Sequence, residues 1–352
     1  MVSMKLNWFL VLAGVVFSVL PLFSDDQVQS QSLTTDETPI HEVKAWPKQL
    51  SVLTYNTFGM WLGPIHVGKH WPDRIPRIVQ ALRQTNADVV LLQELWRVKD
   101  RRFIRESLQV QYPYIVSSSW HATSLPSAVG LKNIIGGGLM ILSKYPFYAP
   151  AEFHSYKAFT APEEYFAGKG LLVASISVDG KLFAVAQTHL GASHFDSDTN
   201  DFKPKQARSH MKQIEEMAQM MSDARRRFSQ RGLRPHFILA GDLNCPEHFW
   251  NAEQSDYEYD RTSYCYPSLN PRGEFVDTYR LLNFDDLGYT STAEENPYVA
   301  PNEPPARLDY IFSDANPRVI PFSSEIVFKD IQSSPPWALS DHFGVLTRFL
   351  LL

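Results

Sequence analysis

The chain has 352 residues, of which 44% are hydrophobic, 13% aromatic and 20% charged; that is enough apolar material for a sizeable core and too little charge for a disordered chain. Its 33 Lys and Arg against 38 Asp and Glu give a formal net charge of −5, which argues against attachment to nucleic acid by bulk positive charge and leaves only a local basic cleft open. Two cysteines, Cys245 and Cys265, are too few for a four-thiolate zinc site and close one bridge at most.

Met1 to Lys5 and the uncharged run Leu6 to Ser24 have the form of a secretory signal peptide, with an uncleaved N-terminal anchor as the alternative. The expectation is a secreted or periplasmic protein, membrane-anchored if the signal is retained. Residues 25–46 are polar and aperiodic and read as a spacer. From 47 to 352 no Ser/Gly/Pro linker divides the chain, so one domain is expected although the length alone would allow two.

Within that body, Leu50 to Tyr55 reads as a strand, and Pro72-Asp73 opens a helix with Ile75, Ile78, Val79 and Leu82 on one face. Asp88 to Gln93, Gly138 to Ser143 and Gly170 to Ile176 are apolar strands, and Gly180-Lys181 turns into a further strand, Leu182 to Thr188. Pro204 to Arg231 is the longest helix, with Ala207, Met211, Ile214, Ala218 and Met221 as its apolar face and Gly232 as its stop. His236 to Ala240, Leu308 to Phe312 and Phe343 to Leu350 supply the last strands.

Five short segments end or border these strands: Thr54-Tyr-Asn56, Leu92-Gln-Glu94, Thr188-His189-Leu, Gly241-Asp242-Leu-Asn244 and Ser340-Asp341-His342. Carboxylate and carboxamide oxygens suit a hard cation such as Mg²⁺, and an imidazole titrating near neutrality can move a proton. Taken singly, each has a bland reading. Glu94 could be a surface acid, Asp242-x-Asn244 an Asx turn, His189 a core histidine, and Ser-Asp-His a capped turn.

In order and spacing the set resembles the endonuclease/exonuclease/phosphatase superfamily with the deoxyribonuclease I fold, most specifically in Gly241 to Asn244 and Ser340 to His342. Gly137 to Phe147, Gly168 to Val173 and Thr188 to Ser193 are similar to the neutral sphingomyelinase branch. The resemblance implies a deoxyribonuclease I-like four-layer α/β sandwich, two mixed β-sheets face to face with helices outside. It also implies metal-assisted attack of water on sphingomyelin, giving ceramide and phosphocholine. Glu94 and Asn56 would hold Mg²⁺, with Mn²⁺ or Co²⁺ as substitutes, and His342 oriented by Asp341 would be the general base. Asp242 and Asn244 would bind water, phosphate or a second ion. His189 would stabilise phosphoryl oxygens or assist the leaving group.

Lys169 is expected to contact substrate phosphate or, as the resemblance implies, to hold a nearby acidic switch, against a plain reading as a turn lysine. Arg225 to Arg227 reads as a solvated helix face or a contact for anionic headgroups. The aromatic stretch with Trp250, Tyr257, Tyr264 and Tyr266 is interleaved with acids and fits a zwitterionic choline lipid at a membrane surface. The expected partner is thus sphingomyelin or a related choline phospholipid, with a monomeric protein and no stable nucleic-acid complex. A secreted nuclease or a phosphatase of the same superfamily is the alternative. Whether Cys245 and Cys265 form a bridge stays open at this point.

Overall fold

Strand β1 (Gln49–Asn56) buries both faces, with Leu50 and Val52 in one apolar cluster and Leu53 and Tyr55 in another. A strand buried on both sides must be covered on both sides. The computed structural model describes residues 49–62, 65–118, 136–160, 167–192, 195–196, 201–202, 204–251, 256–259, 265–270, 273–301 and 303–352. The expected export signal at 1–24, the expected spacer at 25–46 and Tyr264 lie outside the described residues.

Helix α1 (Trp71–Thr85) and strand β2 (Val89–Gln93) follow, then α2 (Val98–Leu108), β3 (Tyr114–Ser117), β4 (Met140–Ser143), β5 (Phe147–Ser155), β6 (Gly170–Val178) and β7 (Lys181–His189). Next come the long α3 (Pro204–Gln230), β8 (His236–Asp242), α4 (Tyr266–Leu269), β9 (Phe275–Asp277), α5 (Thr278–Leu282), β10 (Asp309–Asp314), β11 (Val319–Val327) and β12 (Gly344–Leu351). They build two six-stranded sheets, ordered β11-β12-β1-β2-β4-β3 and β9-β10-β8-β7-β6-β5. Each sheet is antiparallel except for one parallel pair, β1 with β2 and β7 with β8.

Alternation along the central strands assigns the layers. Val52, Val89, Leu91 and Ile141 from the first sheet meet Leu172, Ala174, Val185, Ile238 and Ile311 from the second in one core between the sheets. The opposite faces pack outward: Val90, Leu92 and Leu142 against Ile75, Ile78 and Leu82 of α1 and Ile104 of α2, and Ala184, Phe237 and Leu239 against Ile214, Met217 and Met221 of α3. Full burial of each such side chain contributes ~1.5–3 kcal/mol, so the order helix, sheet, sheet, helix follows from strand parity.

Some expected details shift. On α3 the buried face runs through Ile214, Met217, Met221 and Ala224, while Ala218, expected on it, is exposed. Strands β3, β5 and β11 and helix α2 were not legible in the sequence. The three strands lie at sheet edges, where burial is partial, and β5 and β11 carry Pro150 and Pro321, which a central strand would not tolerate.

After β8 the chain makes an excursion closed by a disulfide between Cys245 and Cys265, both fully buried, with Cα atoms 5.7 Å apart. Within it His248–Asn251 pairs with Asp256–Tyr259, setting Trp250 opposite Tyr257. The bridge spans a sequence separation of 20. Loop closure over that length predicts that Cys265→Ser lowers stability by about 3 kcal/mol, read from the urea midpoint at unchanged slope. Equal midpoints with and without reductant would show that the bridge contributes nothing.

Candidate active site

Both parallel pairs end at one mouth. In the first sheet Asn56 is in register with Gln93, so the carboxamide at the end of β1 lies beside Glu94, the first residue beyond β2. Glu94 takes a left-handed conformation at φ 62°, uncommon for a residue with a Cβ, and its carboxylate is only 6% exposed. Asn56 Nδ2 donates to Glu94 Oε1 at 3.3 Å and, across to the second sheet, to Asp242 Oδ2 at 2.9 Å.

In the second sheet Asp242 at the end of β8 is in register with His189 at the end of β7. Gly241 makes this fit possible: at φ 147° a Cβ there would come within 1.9 Å of the Thr188 carbonyl oxygen. His189 Nε2 lies 3.4 Å from Asp242 Oδ2 and 3.2 Å from Lys169 Nζ, and Lys169 also donates to the Leu190 carbonyl at 2.9 Å. Asn244, left-handed at φ 47°, donates its amide N–H to Asp242 Oδ1 and its Nδ2 to the Leu190 carbonyl.

The third element is the turn before β12. His342 Nδ1 sits 2.7 Å from Asp309 Oδ2, at the start of β10, and its Nε2 lies 3.9 Å from Asp242 Oδ2. The carboxylate that orients the imidazole is therefore Asp309, and the expectation that Asp341 does so is corrected. Asp341 is engaged by Ser340 Oγ at 3.1 Å, whereas β10 delivers Asp309 to the ring from another strand. Asp341 instead lies beside Ser340, whose Oγ donates to the Asn56 carbonyl at 2.7 Å and accepts from the His342 amide at 3.2 Å. Asp242, Asp309 and His342 bring one ligand atom each within 4.8 Å of one another, a grouping that could hold a metal ion.

The residues named from sequence, Asn56, Glu94, Lys169, His189, Asp242, Asn244, Asp341 and His342, thus converge on one mouth. The sequence reading missed Asp309. Its signal was an acid opening the apolar run Asp309 to Phe312, since a carboxylate that is 0% exposed needs a partner. Behind it, Arg307 pairs with Glu247 and Asp277, and Arg280 also reaches Glu247, so the start of β10 is tied to the loop after Asn244.

Burial and close charges displace the titrations. Glu94 is pushed up to about 7, first by burial and then by Asp341, against the pull of Lys169 and His342. Burial raises Asp309 to about 6 against the opposing charge of His342, with Asp242 adding to the rise. His189 is held well below the usual imidazole range by burial, Lys169 and His342, and is neutral at physiological pH. Burial would lower His342 too, yet Asp309, Asp242 and Asp341 hold it well above that range.

Other candidates are accounted for elsewhere. Arg225 pairs with Asp314, Arg226 with Asp223 and Arg227 with Glu152, on a helix face where Arg226 stays exposed, as a solvated face requires. Tyr266 donates to Asp277 at 2.8 Å and packs on Tyr310, which makes it structural.

A Drosophila melanogaster protein provisionally named neutral sphingomyelinase is 25% identical over 312 residues, covering 86% of this chain and 61% of its own length. Sphingomyelinase C 2 of Leptospira interrogans is 24% identical over 303 residues, covering 84% of this chain and 44% of its own. This chain therefore spans less than two thirds of either relative. The crystal structure of a Staphylococcus aureus beta toxin variant with bound magnesium ions superposes with a TM-score of 0.61 at 19% identity, over 85% of this chain and 99% of the toxin. The deoxyribonuclease I-like sandwich expected from the motifs is the architecture observed. The model of the Endonuclease/Exonuclease/phosphatase family matches residues 53–342, a span that runs from within β1 to His342 and encloses Asn56, Glu94, Asp242 and Asp309, and the chain belongs to that family.

Proposed function

We propose that the chain is an exported, Mg²⁺-dependent phosphodiesterase that hydrolyses sphingomyelin at a membrane surface to ceramide and phosphocholine. The observation that carries this reading is the His342–Asp309 pair facing buried carboxylates from both sheets. The names of the relatives supply the sphingolipid, and the uncharged run Leu6 to Ser24 supports export.

The residues fit a divalent cation. Glu94 Oε2 is buried with no hydrogen-bond partner among the described residues, and its carboxyl is raised by burial and by Asp341, a cost that a positive charge would relieve. Oxygen donors suit Mg²⁺, with Mn²⁺ or Co²⁺ as substitutes. Glu94 and Asn56 would hold the ion, which when bound supplies positive charge to a phosphate oxygen and to the departing alkoxide.

Asp309 stabilises the imidazolium of His342, and the surrounding carboxylates favour that protonated form; positive charge held at Glu94 would offset them, so that Nε2 could take a proton from water beside Asp242. Attack of that water forms the new P–O bond as the bond to ceramide breaks, in line and without a covalent enzyme intermediate, and the departing ceramide alkoxide takes a proton from solvent. Neutral His189, backed by Lys169, would hydrogen-bond the phosphoryl oxygens. Asn244 commits its Nδ2 to Leu190, so its Oδ1 is the group able to meet water or substrate.

The decisive test offers the full-length chain sphingomyelin, phosphatidylcholine and plasmid DNA in Mg²⁺ or EDTA. Phosphocholine release from sphingomyelin in Mg²⁺ alone is expected; nicking of DNA without phosphocholine release would replace this reading with a nuclease. His342→Ala and Asp309→Asn should each lower kcat by about 10²–10⁴-fold, the range of general acid–base catalysis. An Asp309→Asn enzyme of full activity would remove Asp309 from its role.

Glu94 gives a second prediction. Its carboxyl titrates at about 7 in the folded chain against 4.5 ordinarily, so the folded state binds more protons in that interval and loses stability as pH rises through 7. In EDTA at pH 8, Glu94→Gln should therefore melt above wild type, while the rise in Tm that Mg²⁺ gives wild type is lost. A variant that melts lower in EDTA and still responds to Mg²⁺ would overturn both the burial cost and the metal assignment.

A further inference from the structure

Arg74, on the first turns of α1, is 0% exposed and heads the largest fully buried side chains. Its partners are all backbone carbonyls. Nε donates to Lys69 O at 2.7 Å, Nη1 to Thr57 O at 2.8 Å and to Leu339 O at 2.7 Å, and Nη2 to Phe58 O at 2.6 Å. The rings of Trp71, Phe58 and Tyr298 stand 5.1, 5.2 and 5.6 Å from its guanidinium carbon. Among the described residues no carboxylate lies within ion-pair distance of it.

A buried guanidinium without a carboxylate costs free energy that an apolar side chain at the same place would not. What this one holds gives the reason. Thr57 and Phe58 directly follow Asn56, and Leu339 directly precedes Ser340, Asp341 and His342. One planar fork therefore spans the two turns that carry the carboxamide of the first sheet and the imidazole of the base. Asn56 and His342 come from distant parts of the chain, and among the described residues the other hydrogen bond between these turns is that from Ser340 Oγ to the Asn56 carbonyl.

We infer that Arg74 is a positioning residue for hydrolysis, fixing the Asn56 and His342 turns relative to each other through their backbone carbonyls. The inference rests on the proposed phosphodiesterase reading for its effect on rate, and on geometry alone for its effect on the His342–Asp309 hydrogen bond. Lysine keeps the charge but is a point donor that cannot bridge carbonyls of three segments, so it separates the fork from the charge.

The test compares full-length wild type and Arg74→Lys, using sphingomyelin in detergent micelles with Mg²⁺ and, independently, the low-field proton resonance of the imidazole N–H bonded to Asp309. A displacement of about 1 Å at a reacting group costs on the order of 10²-fold in rate, so kcat should fall by about that factor. KM should stay within about twofold while the low-field resonance broadens or shifts, with far-ultraviolet circular dichroism unchanged. Wild-type kcat together with an unmoved resonance in Arg74→Lys would overturn the inference. Should Arg74→Lys not fold, Tyr298→Leu removes one ring from the guanidinium and none of its donors; it should lower kcat severalfold at constant KM and move the same resonance, and no change in either would overturn the inference. If wild type hydrolyses no sphingomyelin, the proposed substrate fails, and the shift or constancy of the resonance in the variant still decides the role of Arg74.

Discussion

One hydrogen bond defines the site: Asn56 Nδ2 to Asp242 Oδ2, 2.9 Å, from the first sheet to the second. It forms only if two parallel strand pairs, in separate sheets, end at the same height. That in turn requires the apolar layer between the sheets, where Val52 and Val89 face Ile238 and Val185, to hold the sheets at a fixed separation and angle. The donor is a neutral carboxamide. It satisfies part of the bonding capacity of Glu94 and Asp242 without cancelling their charge, which a lysine at the same place would do.

Around that bond the protein gathers buried carboxylates. Burial raises Glu94 and Asp309, and the same surroundings drive the two imidazoles in opposite directions, His189 down beside Lys169 and His342 up beside Asp309 and Asp242. Paired groups with divergent titrations are the signature of divided acid–base labour. Here the divergence follows from where each ring sits. His189 shares its mouth with an ammonium, and His342 faces two carboxylates.

Much of this was legible because strand ends announce themselves. Apolar runs closing in Asn56, Glu94, His189 and Asp242 place polar residues where a buried strand leaves the core, and Gly241 has a steric reason that the sequence hints at through its Gly-Asp pair. Asp309 was missed because it opens its strand instead of closing one, and because Asp341 offered a nearer partner in sequence. Proximity along the chain misled, since Asp341 bonds to Ser340 while the hydrogen bond to the ring comes from another strand. Edge strands β5 and β11 were missed for a different reason. Their partial burial and internal prolines erase the alternation that marks strands at the centre.

The unfavourable features of the mouth have a common logic. Glu94 and Asn244 occupy left-handed backbone, Glu94 and Asp309 are carboxylates in a low-polarity interior, and Arg74 is a guanidinium there with only carbonyls for partners. None of these stabilises the fold by itself, and left-handed residues bearing a Cβ persist only where their surroundings over-determine them. The surroundings here are the most regular part of the molecule, the four central strands β1, β2, β7 and β8 with apolar residues on both faces. Stability is concentrated one strand length away from the chemistry, which lets the loops beyond the strand ends hold charge, strain and unsatisfied oxygen atoms in a fixed geometry. A site built on edge strands, whose pairing is partial and whose faces are half-exposed, would relax the same residues into water and lose the displaced titrations on which the proposed division of roles depends.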